Sequence, residues 1–183
     1  MKKLMSVLLA LTMVFALAAC GNANAEPEAP AAQPLTGTME ELVNQVVEAN
    51  PVEFMGGIMP VDLTDTSEDG LWAVKYFTGL DSAEMITDVA VYEPMMGSIP
   101  FSLVLVRTAE GQDAQAVAEA MKSGIDTRKW ICVEADDLMT ASFGDVVMLI
   151  MVGSDTGMTA QSFVDAFQGV VAAQFEGAEI TVY

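Results

Sequence analysis

Histidine is absent from this chain of 183 residues, cysteine occurs twice, and seven Lys or Arg residues face 26 Asp or Glu, for a formal net charge of −19. Each scarcity removes a class of function. Without histidine there is no Ser-His-Asp triad, no imidazole general base, no Cys-His pair and no His-ligated zinc or copper. The deficit of basic residues excludes nucleic acid as a partner, because binding a polyanion needs Lys and Arg patches that neutralise phosphates. The same field favours divalent cations, cationic ligands or basic partner surfaces, and it keeps a domain soluble and self-repelling. Paired carboxylates remain available for acid–base chemistry. Among so many acids, though, close pairs arise by chance, so no catalytic residue, metal ligand or cofactor is assigned.

What is present begins at the N-terminus. Lys2 and Lys3 precede an uncharged apolar run, Leu4 to Ala19. A membrane-spanning helix needs about 20 apolar residues; this run is shorter and ends in small residues, as a cleaved signal does. Leu17-Ala18-Ala19-Cys20 resembles the lipobox of bacterial lipoprotein signals, a Leu, two small residues and a Cys. That resemblance implies a signal peptide over 1–19, with a diacylglycerol attached to the Cys20 thiol, which becomes the first mature residue. Two acyl chains anchor stably where one binds only marginally. The expected location is therefore the cell membrane, with the domain on its extracytoplasmic face. The expected partners are the membrane, through Cys20, and another envelope protein or a cationic ligand. Losing Lys2 and Lys3 leaves the mature chain more acidic still.

Residues 20–37 lack helical or alternating periodicity and are rich in Ala and Pro, with Glu26-Pro27-Glu28, Pro30 and Pro34. They read as a tether with extended polyproline character. A single domain is expected over 38–183, long enough to build a core without disulfides. It opens on a capping box, Thr38-Met39-Glu40-Glu41, in which the Thr38 hydroxyl and the Glu41 carboxylate satisfy each other's backbone amides. Met39, Leu42, Val43, Val46 and Val47 follow at helical spacing, and Asn50-Pro51 ends the helix. Residues 51–66, with Gly56-Gly57 and Pro60, read as an irregular connection.

Asp65, Ser67 and Asp69 then alternate ahead of Gly70, as in the first half of a calcium loop. The bidentate Glu expected at position twelve is replaced by Tyr76. The favoured alternative has Ser67 capping a short helix, with Glu68 and Asp69 against its positive end, leading into Leu71, Trp72, Val74 and Phe77. Methionines at 55 and 59, 95 and 96, and 148 and 151 supply thioethers that suit Cu(I), but adaptable packing and loop positions account for them better. With Cys20 committed to lipid, Cys132 has no intramolecular partner. Set between apolar neighbours in Trp130-Ile131-Cys132-Val133, it is expected to be a buried small hydrophobe; Arg128 and Lys129 are the nearby cations that could activate a thiol.

Beyond this, Ile86 to Tyr92 and Ile99 to Val106 read as a hairpin, with Ile99, Phe101, Leu103 and Leu105 on one face. Asp113 caps a helix whose buried stripe is Val117, Ala118, Met121 and Ile125. A short strand at Trp130 to Val133 precedes a second hairpin, Leu138 to Phe143 and Val146 to Val152. The last run is apolar at every position, which implies a strand covered on both faces. Thr159 opens a final helix with Phe163, Val164, Phe167, Val170 and Val171 inward; Gly177 is its expected C-cap, before an edge strand at Ile180 to Tyr183. The fold class is thus α+β, a mainly antiparallel sheet built from hairpins with helices packed on it, in the order α-α-β-β-α-β-β-α.

The segments Tyr76 to Leu80, Val89-Ala90-Val91-Tyr92-Glu93-Pro94, Trp130-Ile131-Cys132-Val133 and Gly144-Asp145-Val146-Val147 resemble an uncharacterised lipoprotein domain family of Gram-positive anaerobes, over roughly 68–175. The resemblance implies a surface lipoprotein outside a single membrane and carries no chemistry. The function expected is a non-catalytic binding or interaction module of the envelope. Two alternatives stand beside it: a calcium-responsive surface domain using Asp65, Ser67 and Asp69, and a carboxylate-dependent hydrolase of envelope polymers.

Overall fold

The computed structural model describes residues 34–183; the signal, Cys20 and most of the tether lie outside the described residues. Four helices and six strands follow in order: α1 (Met39–Ala49), β1 (Gly56–Met59), α2 (Glu68–Thr78), β2 (Ile86–Pro94), β3 (Phe101–Thr108), α3 (Ala114–Gly124), β4 (Asp137–Phe143), β5 (Val146–Val152), α4 (Ala160–Gln174) and β6 (Thr181–Val182). The strands form one sheet in the spatial order β1-β2-β3-β5-β4-β6, and every neighbouring pair is antiparallel. The fold is α+β with helices packed on a mainly antiparallel sheet. Among the described residues no helix is long and apolar enough to cross a membrane.

Period-two alternation divides the sheet into two faces. Phe101, Leu103 and Leu105 of β3 join Val146, Met148, Ile150 and Val152 of β5 in one core, closed by Met39, Leu42, Val43 and Val46 of α1 and by Phe163, Val164, Phe167, Val170 and Val171 of α4. Val104 and Val106, with Val147, Leu149 and Met151, face the other way into a second core under Val74 of α2 and Val117, Ala118 and Met121 of α3. All seven residues of β5 are therefore buried, because both of its faces are covered. At about 1.5–3 kcal/mol per buried aliphatic side chain, this strand is a principal source of folding energy.

The local signals act as their chemistry requires. The Thr38 Oγ1 accepts from the Glu41 amide while the Glu41 carboxylate accepts from the Thr38 amide. Ser67, Asp113 and Thr159 cap α2, α3 and α4. Gly177 is not a C-cap: α4 ends at Gln174 with Phe175 as its cap, and Gly177 serves the turn that follows with φ +76°. Residues 51–66 are not wholly irregular, since Gly56–Met59 pairs with β2. The strand is hidden in sequence because it is short and opens on two glycines. Gly56 is required there: a Cβ would lie 2.5 Å from the Tyr92 ring.

The expected strand at Trp130 to Val133 does not form. These residues belong to the connection between α3 and β4, and Cys132 is exposed with a left-handed φ of 64°. Apolar neighbours in sequence did not bury it, because Lys129 and Trp130 take the inward positions of this connection and turn Ile131 and Cys132 outward.

Candidate functional site

The sheet has two poles, defined by where its strands begin and end. The chain enters the domain at one of them. Leu35 is buried in the first core, and Arg107, near the end of β3, donates through Nη2 to the carbonyls of Leu35 (3.1 Å) and Gly37 (2.8 Å) while Nη1 pairs with Asp145 in the β4–β5 turn. The Met39 amide donates to Asp88 at the start of β2 (3.0 Å), and Thr36 is bonded to Gln174 at the end of α4. From Asp88 to Pro94, β2 then runs about 20 Å to the opposite pole.

That far pole gathers the ends of β2 and β5, the starts of β3, β4 and α4, and the connection between α3 and β4. At its centre lies a buried ion pair. Lys129 Nζ, with its side chain 1% exposed, sits 2.6 Å from Glu93 Oε1 on β2, whose side chain is 9% exposed. Ser102 Oγ on β3 donates to the same carboxylate at 2.7 Å, and Lys129 Nζ also lies 3.3 Å from Ser102 Oγ and 3.4 Å from the Tyr76 carbonyl. The rings of Tyr76, Phe77 and Trp130 enclose the ammonium, with centroids 4.9, 5.4 and 5.4 Å away. Withdrawing an ion from water costs several kcal/mol, and here the carboxylate and the ring quadrupoles offset that cost. Burial still dominates: it holds the Lys129 ammonium below the ordinary lysine range, with Glu93 pulling the other way. Burial, and next the Glu93 charge, push the Tyr76 hydroxyl above its usual value.

A lysine, a serine and a carboxylate in this order can activate a nucleophile. Here they do not form a site for a substrate, because Ser102 is 0% exposed and its proton is given to Glu93. The cluster acts as a pin between the ends of β2 and β3, helix α2 and residues 129–131, and so holds the adjoining surface in place. In sequence Lys129 was legible only as a cation near Cys132. The stronger signal was Ser102, a polar residue in a strand whose neighbours are apolar on both faces, which requires a buried partner.

Around the pin several large apolar side chains are exposed. Met95 donates its amide to the Met55 carbonyl (2.9 Å), Ile131 donates to the Gly97 carbonyl (3.2 Å), Tyr76 donates to the Lys129 carbonyl (3.3 Å), and Trp72 stacks on Tyr76 with centroids 4.7 Å apart. These links join Met55, Met95, Met96, Ile131 and Trp72, which are 60–77% exposed. Beside Met55 opens a cleft of about 680 Å³, lined by Glu53, Phe54, Ile99, Asp155 and Met158 among others. Its two carboxylates are exposed, and among the described residues neither pairs with a cation.

Of the other residues singled out in sequence, the calcium-loop candidates are used locally around the start of α2. Asp65 Oδ1 accepts from the Ser67 amide (2.9 Å), Ser67 Oγ accepts from the Gly70 amide (3.2 Å), and Asp69 lies in the first turn of α2. Asp65 Oδ1 and Ser67 Oγ thus serve the turn and cap that open α2, and among the described residues no three acidic or thiol groups are placed to hold a metal ion. Cys132 lies at the far pole and shares a surface hollow with Arg128, whose guanidinium pairs with Glu134 (2.9 Å), while Lys129 points inward to Glu93. Met148 and Met151 are core residues of β5. Comparisons of the chain with protein-family models, curated proteins and solved structures find no match.

Proposed function

We propose that this protein is a lipid-anchored interaction module of the cell envelope, held at the membrane through Cys20 and residues 20–37, that binds another protein with its far pole and catalyses no reaction. One observation carries the reading: the chain enters at the pole clamped by Arg107, while Met55, Trp72, Met95, Met96 and Ile131 are exposed together around the opposite one. Large apolar side chains gathered and exposed at one end of a domain mark a contact surface, and unbranched, polarisable methionine suits a surface that must fit a partner. An anchor at the entry pole leaves the far pole free to reach outward.

The test is in intact cells. A photo-crosslinking residue at Ile131 is expected to capture a partner that the same residue at Glu176, in the turn after α4, does not. The capture should disappear in Cys20→Ala, which is expected to leave the membrane fraction. Mature-sized Cys20→Ala protein retained in the membrane would contradict lipid anchoring, and equal capture from the two positions would contradict the pole.

A further inference from the structure

All five basic residues of the described domain are already engaged. Lys75 pairs with Asp81, Arg107 with Asp145, Arg128 with Glu134 and Lys129 with Glu93, while Lys122 donates to the Tyr183 carbonyl. The carboxylates of Glu53 and Asp155 therefore have no cation on their own domain to turn to. They line the cleft together with Phe54, Ile99 and Met158, so acid and apolar surface meet in one concavity, and the chain leads from Phe54 directly to the exposed Met55, whose carbonyl accepts from the Met95 amide.

We infer that this cleft and patch dock a basic, apolar polypeptide segment of the partner, with a Lys or Arg side chain seated between Glu53 and Asp155 and its aliphatic neighbours on Met55, Met96 and Ile131. The inference rests on the interaction reading above and specifies the partner's chemistry. A Lys or Arg side chain fits both halves of the cleft, because its methylene stem packs on Phe54, Ile99 and Met158 while its charged head reaches the carboxylates. Charge decides against the other occupants. A second copy would bring a chain of net charge −19 against another and set carboxylate facing carboxylate, and anionic lipid headgroups would be repelled in the same way.

Fluorescence anisotropy of the full chain with three labelled unstructured peptides tests this, one carrying Lys and Ile, one Lys and Ser, and one Glu and Ile. The Lys/Ile peptide is expected to bind, the Lys/Ser peptide more weakly and the Glu/Ile peptide not at all. Glu53→Gln/Asp155→Asn should weaken the Lys/Ile complex about fivefold to tenfold, as the loss of two surface ion pairs would. The charge-matched Glu110→Gln/Glu176→Gln, in loops at the entry pole, should leave it unchanged. Met96→Ser/Ile131→Ser should weaken it while leaving the folded state intact. If both charge-neutralised pairs lower affinity equally, attraction is diffuse and the cleft is not the site. If the Lys/Ile peptide fails to bind although Ile131 captures a partner in cells, the partner's chemistry is wrong while the pole stands; if both fail, the pole reading falls too.

Discussion

At the entry pole Arg107 satisfies a carboxylate and two carbonyls at once, Asp88 accepts the first amide of α1, and Leu35 is buried; at the far pole an ion pair is sealed inside and five large apolar side chains face water. Both poles contain one strong cation–carboxylate contact, yet they use it differently. Arg107, 21% exposed, ties down the segment through which the chain arrives, and its planar fork can serve several acceptors together. Lys129 is a compact charge in a cage of rings, and what it fixes is the surface above it. A buried polar contact can thus serve placement as much as stability.

Breaking the far pin should have the largest effect. Lys129→Met leaves Glu93 buried without its cation, at a cost of about 3–5 kcal/mol, whereas Lys129→Met/Glu93→Leu should recover most of that loss. Urea denaturation of the two variants checks it; equal destabilisation would mean that the pin matters only through packing. At the entry pole the expected effect is smaller. Arg107→Met removes charged hydrogen bonds worth about 2 kcal/mol in all, and it should speed hydrogen exchange at Met39, ahead of exchange in β5. Uniform acceleration throughout the sheet would show that the clamp is not local.

The smallest effect is a pH dependence at the far pole. Asp136 is exposed, and the side-chain and backbone hydrogen bonds it accepts from Ser154 hold its carboxyl below the ordinary aspartate value of 3.8. A depressed folded-state pKa adds stability above the unfolded value and loses it as pH falls through the folded one. Asp136→Asn should therefore lower stability slightly above pH 3.8 and draw level with the parent protein as pH falls below that value, flattening the acid limb. An unaltered acid limb would sink the assignment.

Elements whose signals are local were legible before the structure. Thr38 with Glu41 marks the first cap, Asp113 and Thr159 mark two more, and the uninterrupted apolarity of Val146 to Val152 points to a strand covered on both faces; each depends on residues within a turn or a strand of one another. β1 was not legible, because a four-residue strand opening on two glycines acquires its identity from pairing with β2 and from the Tyr92 ring beside Gly56. Cys132 is exposed despite its apolar flanks, because apolar neighbours in sequence are not neighbours across a core.

The candidate site divides in the same way. Sequence alone determined the acidic excess, the absence of imidazole chemistry, the capped helices and the apolar strands, since composition and short-range periodicity suffice for these. Only the tertiary structure decided that Glu93, Ser102, Lys129 and Tyr76 meet, that Met55, Met95, Met96, Ile131 and Trp72 share one pole, and that the chain enters at the other. Those placements come from antiparallel register and chain reversal, which bring together residues far apart in sequence, and no local pattern records them.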